Sequence, residues 1–258
     1  MAWLPAIVAF PFGLALGSFM TVVAERVPAG TSVVSPRSRC PRCGAEIANR
    51  DNVPVLGWLL LRGRCRNCGE RISPRYPFLE LSTALLFSGA FLVYESLWVA
   101  IAVASLLVLM PAIAVIDLGH RIIPNRLTYP ALIAFPVYLT IARLFGAPVD
   151  LPRMVAGFLL YGGALFCVAL ISRGMGMGDV KLAALIGLVL GSLGLRYVAV
   201  AAGSAIVLGG IAAVVALVLG KGRKAAIPFG PSLAAGAVVS AFWGAAIADW
   251  YLRTFVRG

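Results

Sequence analysis

Long apolar stretches separated by short polar segments fill most of this 258-residue sequence. A helix needs about 20 mainly apolar residues to cross a bilayer, and most of the stretches have roughly that length. The pattern therefore predicts an all-α polytopic membrane protein with about eight transmembrane helices, of which the sixth is short. These helices are expected at residues 5–24, 78–94, 97–116, 127–145, 154–171, 182–190, 197–219 and 229–250.

One polar segment, residues 25–77, is long enough to form a small aqueous domain. It contains ten arginines, four acidic residues and four of the five cysteines. We therefore divide the chain into a first transmembrane helix (1–24), a cysteine-containing insert (25–77) and a seven-helix membrane core (78–258). A segment of about 50 residues cannot build a large apolar core, so a metal is expected to hold the insert together.

The distribution of basic residues predicts the orientation of the helices. With eight spans, 17 of the 22 lysines and arginines lie on the side of the insert and 5 lie on the other side. Because basic residues collect on the cytoplasmic side of membrane proteins, the insert is expected in the cytoplasm. The net charge of +12 then reflects topology and gives no reason to expect a nucleic-acid partner.

The insert carries two matched Cys-x-x-Cys-Gly motifs, formed by Cys40 with Cys43 and by Cys65 with Cys68. Two such turns can direct four thiolates at one cation, which predicts a structural zinc site with no open position for catalysis. A disulfide pair and a redox dithiol are the alternatives. A reducing cytoplasm disfavours the first, and the matched set of four cysteines disfavours the second.

Two acidic residues lie at the predicted cytoplasmic ends of apolar stretches. Asp117 begins a polar segment, 117–126, that is expected to be a loop, and Asp179 follows a glycine-rich stretch, 174–178, before a helix expected to begin near Val180. Two carboxylates that meet can share one proton and activate water, as in aspartic peptidases. Helix caps, or a proton or ion relay in a transporter, are the alternatives, and spacing alone favours peptidase and relay equally.

Other patterns narrow the chemistry further. The sequence contains no Ser-His-Asp order, no His-Glu-x-x-His motif and no phosphate-binding loop, which argues against serine, catalytic-zinc and nucleotide-driven reactions. Glu80 begins a predicted span next to the insert. It is a candidate either for a cofactor contact or for an interfacial residue.

Taken together and in this order, the motifs resemble the type IV prepilin leader peptidase family, membrane aspartic peptidases with a Gly-x-Gly-Asp motif. The resemblance runs nearly from end to end. It rests on Gly17-Ser18-Phe19, the four cysteines, Asp51-Asn52-Val53-Pro54-Val55-Leu56-Gly57-Trp58, Arg75-Tyr76-Pro77-Phe78-Leu79-Glu80, Asp117 with Ile123-Pro124, Gly176-Met177-Gly178-Asp179-Val180-Lys181 and Ile227-Pro228-Phe229-Gly230-Pro231. The chain departs from the family pattern at Thr21, where asparagine is usual, and at Ser232, where an aromatic residue is usual.

The resemblance implies that Asp117 and Asp179 are the catalytic pair. It also implies that the substrate is a type IV prepilin or a pseudopilin of type II secretion, whose basic leader is removed at the cytoplasmic face of the bacterial inner membrane. Members with the cysteine insert commonly methylate the new amino terminus with S-adenosylmethionine. The rival interpretations are a transporter that uses the two aspartates as a relay and a non-catalytic assembly scaffold.

Overall fold

A computed structural model describes residues 3–172, 175–220 and 228–256, and most of these residues are helical. The ten α-helices in this part of the chain are α1 (Trp3–Arg26), α2 (Leu56–Leu60), α3 (Arg75–Val93), α4 (Leu97–His120), α5 (Asn125–Leu144), α6 (Leu151–Gly157), α7 (Gly163–Ser172), α8 (Met177–Gly191), α9 (Leu195–Val218) and α10 (Gly230–Tyr251). A π-helical turn, Phe158–Gly162, joins α6 to α7, and a second, Leu252–Val256, follows α10.

Seven helices of the described chain are long and apolar enough to cross a membrane, with α6 and α7 forming one of them, Leu151–Ser172. The chain is therefore an integral membrane protein built almost entirely from helices. The predicted sixth span corresponds to α8, which has 15 residues and falls short of that length. The count of eight crossings stays a prediction.

Helix α8 lies at the centre of the bundle, and nearly all its side chains beyond the first turn are buried. Its carboxyl end meets the turn between α5 and α6, where the Asp150 N–H donates to the Ser192 carbonyl at 2.9 Å. Glycines let α6 approach α8 very closely, since a Cβ placed on Gly187 would lie 2.2 Å from the Gly157 oxygen. With so little room for side chains, backbone packing fixes the position of α8.

Helices α1 and α3 form a second close pair. A Cβ on Gly13 would lie 2.8 Å from the Ala84 Cα, and one on Gly17 would lie 2.7 Å from the Glu80 Cα. These two glycines have the Gly-x-x-x-Gly spacing that permits helices to pack closely in membranes. The pair contacts α4 through a cluster of buried apolar residues near the insert: Met20, Val23, Ala24, Leu79, Val108, Ala112 and Ile116.

The insert between α1 and α3, all of which the structure describes, has little regular secondary structure. It contains α2, a short 3-10 turn at Asn49–Asp51 and two isolated antiparallel bridges, Arg39 with Glu46 and Arg64 with Arg71. Its division from the membrane core at residues 24–25 and 77–78 stays a prediction.

Two predicted boundaries near the acids were wrong. The segment 117–126 was expected to be a loop, but α4 continues through Asp117 to His120 and ends where Arg121 adopts a left-handed φ of 56°. Helix α8 begins at Met177, so Asp179 lies within its first turn and does not precede it. Gly174 of the glycine-rich stretch and Ile227 of the Ile227–Pro231 motif lie outside the described residues, as do five of the counted basic residues, Arg173, Lys221, Arg223, Lys224 and Arg257.

Candidate functional site

Asp117 lies on the last turn of α4 and points into the bundle, since only 5% of its surface is exposed. Its Oδ2 accepts a hydrogen bond of 2.9 Å from the backbone N–H of Gly230, which is the first residue of α10. No side chain would fit between the two groups, because a Cβ on Gly230 would lie 2.6 Å from the same oxygen. The amino terminus of α10 therefore holds this carboxylate in place.

Asp179 lies in the first turn of α8 and is partly buried. The preceding residue, Gly178, rests against Ile123, since a Cβ on Gly178 would lie 3.0 Å from the Ile123 Cβ. Ile123 belongs to the turn that follows Asp117, so this contact draws the two acidic turns together. Asp117 and Asp179 therefore lie at neighbouring ends of α4 and α8. The family resemblance implied that the two acids form a catalytic pair. The contact between their turns supports that role, which stays a prediction.

Lys181 ties the start of α8 to α5. Its ammonium group donates a hydrogen bond to the Asn125 Oδ1 and lies 4.8 Å from the centre of the Tyr129 ring. The ring face attracts a cation, so both contacts favour the same position of the side chain. Gly230 of α10 contacts Asp117, and Lys181 joins the turn that carries Asp179 to α5.

Two carboxylates in such positions can act together as an acid and a base. Two nearby carboxylates cannot both ionise easily, so they tend to share one proton. The charged member can accept a proton from water while the protonated member donates to a carbonyl oxygen. A hydrogen bond from a backbone N–H at a helix amino terminus favours the charged form of the acid that accepts it. Asp117 accepts such a bond from Gly230, and Asp179 lies in the first turn of α8, so each acid is near a helix amino terminus.

The four predicted metal ligands also meet. The sulfur atoms of Cys40, Cys43, Cys65 and Cys68 all lie within 4.8 Å of one another. The Cys40 and Cys68 sulfurs are 3.8 Å apart, which matches the edge of about 3.8 Å in a tetrahedron whose zinc–sulfur bonds are about 2.3 Å long. The donor set therefore fits a structural zinc ion, and zinc itself stays a prediction.

The two cysteine turns have the same backbone geometry. In the first, the Gly44 N–H donates to the Cys40 carbonyl at 2.9 Å, and in the second the Gly69 N–H donates to the Cys65 carbonyl at 3.0 Å. Both glycines have a positive φ, 71° and 72°, which side chains disfavour. Backbone N–H groups of Cys43 and Arg42 lower the pKa of the Cys40 thiol to about 7.

Glu80 is the sixth residue of α3 and is buried. Its Oε2 accepts a hydrogen bond of 2.7 Å from the backbone N–H of Val55 in the insert. Val55 has a φ of 61°, an uncommon conformation for a β-branched residue. The structure therefore shows Glu80 as a link between the membrane core and the insert, and its role as a cofactor contact stays a prediction.

A cavity of about 200 Å³ opens between the end of α1 and the insert. Its walls combine apolar side chains with two arginines and two asparagines. The residues around it are Val22, Arg26, Val33, Val34, Pro36, Arg37, Ser38, Ile47, Asn49 and Asn52. Guanidinium groups bind carboxylates, and amides can bind the edge of a heterocyclic base. The cavity is therefore a candidate place for a small polar cofactor.

Sequence reasoning missed two contacts of the acid pair. Gly230 and Ile123 were noted only as parts of motifs, although the first binds Asp117 and the second positions Gly178. A signal for Gly230 is present in the sequence: Phe229-Gly230-Pro231 places a small residue and then a proline at the start of an apolar stretch, as is typical of a helix amino terminus.

The fold and site together define a helical membrane protein with acidic residues at neighbouring ends of α4 and α8 and a four-cysteine insert. Two family models match the chain. The model described as the bacterial peptidase A24 N-terminal domain covers residues 12–94. The model described as the type IV leader peptidase family covers residues 102–219. No solved structure matches the chain.

Known proteins of similar sequence carry corresponding names. A prepilin leader peptidase/N-methyltransferase of Bacillus subtilis (strain 168) is 36% identical, over 95% of this chain and 96% of the relative. A protein of the same name from Aeromonas hydrophila is 32% identical, over 99% of this chain and 97% of the relative. The type 4 prepilin-like proteins leader peptide-processing enzyme of Escherichia coli O78:H11 is 36% identical, over 89% of this chain and 91% of the relative. The chain belongs to the type IV leader peptidase family.

Proposed function

We propose that this enzyme removes the basic leader of a type IV prepilin or pseudopilin by hydrolysis at the Asp117–Asp179 pair. The observation that carries the proposal is the contact between the turns of Asp117 and Asp179 through Ile123 and Gly178, with the Gly230 N–H on Asp117. Family membership and the names of its relatives supply the substrate class. A transporter would also bring two acids together, but no relative named above is a transporter.

In the proposed reaction we assign the charged role to Asp117 and the protonated role to Asp179. Charged Asp117 takes a proton from water, whose oxygen attacks the carbonyl carbon of the scissile bond, while protonated Asp179 gives its proton to the carbonyl oxygen. The tetrahedral intermediate then collapses. The proton held by Asp117 passes to the leaving nitrogen, and Asp179 recovers its proton from the former carbonyl oxygen. One water is consumed, one peptide bond breaks and both acids return to their starting states.

The site is proposed to face the cytoplasm of a bacterium, with the enzyme in the inner membrane. The basic residues of the insert and of the loops beside the acids support this orientation. A prepilin's apolar segment can lie in the bilayer while its basic leader stays in the cytosol, so its cleavage site is presented near the depth of the acid pair. Membrane lipid is then a second partner of the protein.

The enzyme is also proposed to methylate the new amino terminus, because its relatives are named as N-methyltransferases. S-adenosylmethionine would supply the methyl group. Its carboxylate and adenine fit the chemistry of Arg26, Arg37, Asn49 and Asn52 around the cavity next to the insert. The insert itself is proposed to hold one structural zinc at the four cysteines, which have the right donors and spacing.

The test is in-vitro processing of a synthetic prepilin in lipid nanodiscs, read by mass spectrometry, with wild type, Asp117→Asn and Asp179→Asn. Loss of cleavage of at least about 1,000-fold is expected in both variants, since each acid has a separate task. Asp249→Asn is the matched control, because Asp249 lies at the other end of α10 and pairs with Arg196 at 3.1 Å. Cleavage by either acid-pair variant would overturn the mechanism.

The same assay separates the remaining alternatives. Cleavage without any ion gradient contradicts a relay, and processing by the purified enzyme contradicts a scaffold. Addition of S-adenosylmethionine should increase the mass of the processed product by one methyl group. An unmodified product under these conditions would contradict the methyltransferase activity.

A further inference from the structure

Helix α2 presents an apolar face to the outside of the insert. Leu56, Leu59 and Leu60 are 56%, 55% and 80% exposed. Their spacing of three and four residues places them on one side of the helix. A small aqueous domain gains nothing by leaving three leucines uncovered together, because each loses the free energy of burial. We therefore expect another apolar surface to cover this face.

The opposite side of α2 is fixed, so the helix cannot turn its leucines inward. A Cβ on Gly57 would lie 2.2 Å from the Asp51 carbonyl oxygen. The Trp58 indole N–H donates to the Ile72 carbonyl at 3.1 Å, and its ring lies against Gly63. The leucines are thus held in their outward position by the packing of the insert itself.

The position of α2 along the axis of the membrane-spanning helix α3 indicates what covers this face. Val55, which immediately precedes α2, donates its N–H to Glu80 of α3. Glu80 lies five residues after Arg75, the first residue of α3, which places it about 7.5 Å along the helix axis. Helix α2 therefore begins beside the second turn of a membrane-spanning helix. At this level α3 has its own exposed apolar side chains, with Phe78 72% and Leu81 40% exposed.

The basic residues that follow α2 also fit a position at the membrane surface. Arg62 and Arg64 follow α2 directly, and both are exposed. Neither has an acidic partner within salt-bridge distance among the residues that the structure describes. Basic side chains that flank a short apolar helix are well placed for the phosphates of anionic lipids. The leucines of α2 lie at the level of the exposed apolar side chains of α3, and the two unpaired arginines come next along the chain. This order suits a helix that lies between the acyl chains and the headgroups of a bilayer.

We propose that α2 is an interfacial anchor, with Leu56, Leu59 and Leu60 buried in the lipid leaflet and Arg62 and Arg64 on its phosphates. The partner is the bilayer itself, with a preference for anionic lipid. The anchor holds the insert flat against the membrane through a contact that is separate from its covalent links to α1 and α3. This inference depends on the membrane location of α3 and not on the proposed peptidase activity.

Photo-crosslinking tests the proposal in the full-length protein. Leu60→p-benzoylphenylalanine, reconstituted in nanodiscs of phosphatidylglycerol and phosphatidylcholine without prepilin, should yield a phospholipid adduct by mass spectrometry on irradiation. Leu59→p-benzoylphenylalanine is a second probe on the same face, should one variant fail to fold. The control is Asn67→p-benzoylphenylalanine, an exposed position between two cysteines of the insert, where at least tenfold less lipid adduct is expected.

The other possible occupants give different masses. A covalent dimer of the chain would assign the face to a second copy. Crosslinking to an added synthetic prepilin in place of lipid would assign it to the substrate. Either result would overturn the proposal, as would equal lipid labelling at positions 60 and 67 or no adduct at either leucine.

The charge preference has its own measurement. With an equimolar lipid mixture, the ratio of phosphatidylglycerol to phosphatidylcholine adducts at position 60 should exceed one. In an Arg62→Gln/Arg64→Gln background that ratio should fall toward one while total labelling remains. A ratio of one already in the arginine-containing protein would overturn the role assigned to the two arginines.

Discussion

Gly230 shows how strongly the candidate site depends on a residue without a side chain. Its N–H is the hydrogen-bond donor to Asp117, and it leaves room for that carboxylate against the start of α10. The interior of a helix bundle contains few polar groups, and a backbone N–H at the amino terminus of a helix can stabilise a carboxylate there. The position of the catalytic candidate is therefore set by backbone as much as by its own helix.

Gly230→Ala should lower kcat of prepilin cleavage by about 100-fold, because a displacement of about 1 Å near reacting groups can cost that much. The added Cβ would lie 2.6 Å from the Asp117 Oδ2 and force the carboxylate to move. Steady-state kinetics with the synthetic prepilin measure the effect, and KM should change little. Gly210→Ala is the matched control, since a Cβ there meets no atom within 4 Å. An unchanged kcat in the Gly230 variant would show that this contact does not position Asp117.

The residues of the site were predictable to different degrees. Asp117 and Asp179 stand out because acids are rare at the edges of apolar stretches, and the four cysteines stand out by spacing. Gly230 did not stand out as a partner of Asp117, because 113 residues separate the two and only folding brings them together. The same holds for the Val55–Glu80 hydrogen bond, which joins the insert to a span through a backbone group that no motif reveals.

At the scale of the element, α8 combines an end that carries a candidate catalytic residue with a tightly packed body. Its first turn carries Asp179, and its later turns approach α6 at glycines. Gly187 and Gly191 repeat the Gly-x-x-x-Gly spacing already noted for Gly13 and Gly17 in α1. This spacing predicts close packing but not its partner, which is why sequence alone could not pair α8 with α6. The π-helical turn at Phe158–Gly162 also had no signal in the apolar pattern.

Gly187→Ala should destabilise the enzyme by about 1–3 kcal/mol, the usual cost of adding atoms to a packed interior. Its Cβ would lie 2.2 Å from the Gly157 oxygen and 3.0 Å from the Tyr161 Cβ, so the two helices would have to separate. Unfolding in detergent, followed by circular dichroism, measures the change. Gly163→Ala is the control, because its Cβ would be in open space at the start of α7. Equal stability of both variants would contradict the packing argument.

At the scale of the whole molecule, a helical membrane core carries an insert with few helical residues. The insert is tied to the core at its two ends and through the Val55–Glu80 hydrogen bond. Inside it, ion pairs such as Arg39 with Glu46 at 2.8 Å lie at exposed positions, where such pairs contribute little. The cysteine cluster is thus the strongest candidate for what stabilises this part of the chain.

Cys43→Ser should remove the metal and unfold the insert while leaving the core helices in place, because a four-ligand zinc site contributes much of the folding free energy of a small domain. We expect about one zinc per chain in the wild type and none in the variant, measured by inductively coupled plasma mass spectrometry. Limited trypsin digestion should then cut the arginine-rich insert rapidly. Cys167→Ser is the matched control, since Cys167 is exposed on α7 and lies outside the cluster, so it should retain its zinc and its protease resistance. A wild type without zinc, or an insert that stays resistant in Cys43→Ser, would mean that packing and ion pairs suffice to hold the insert.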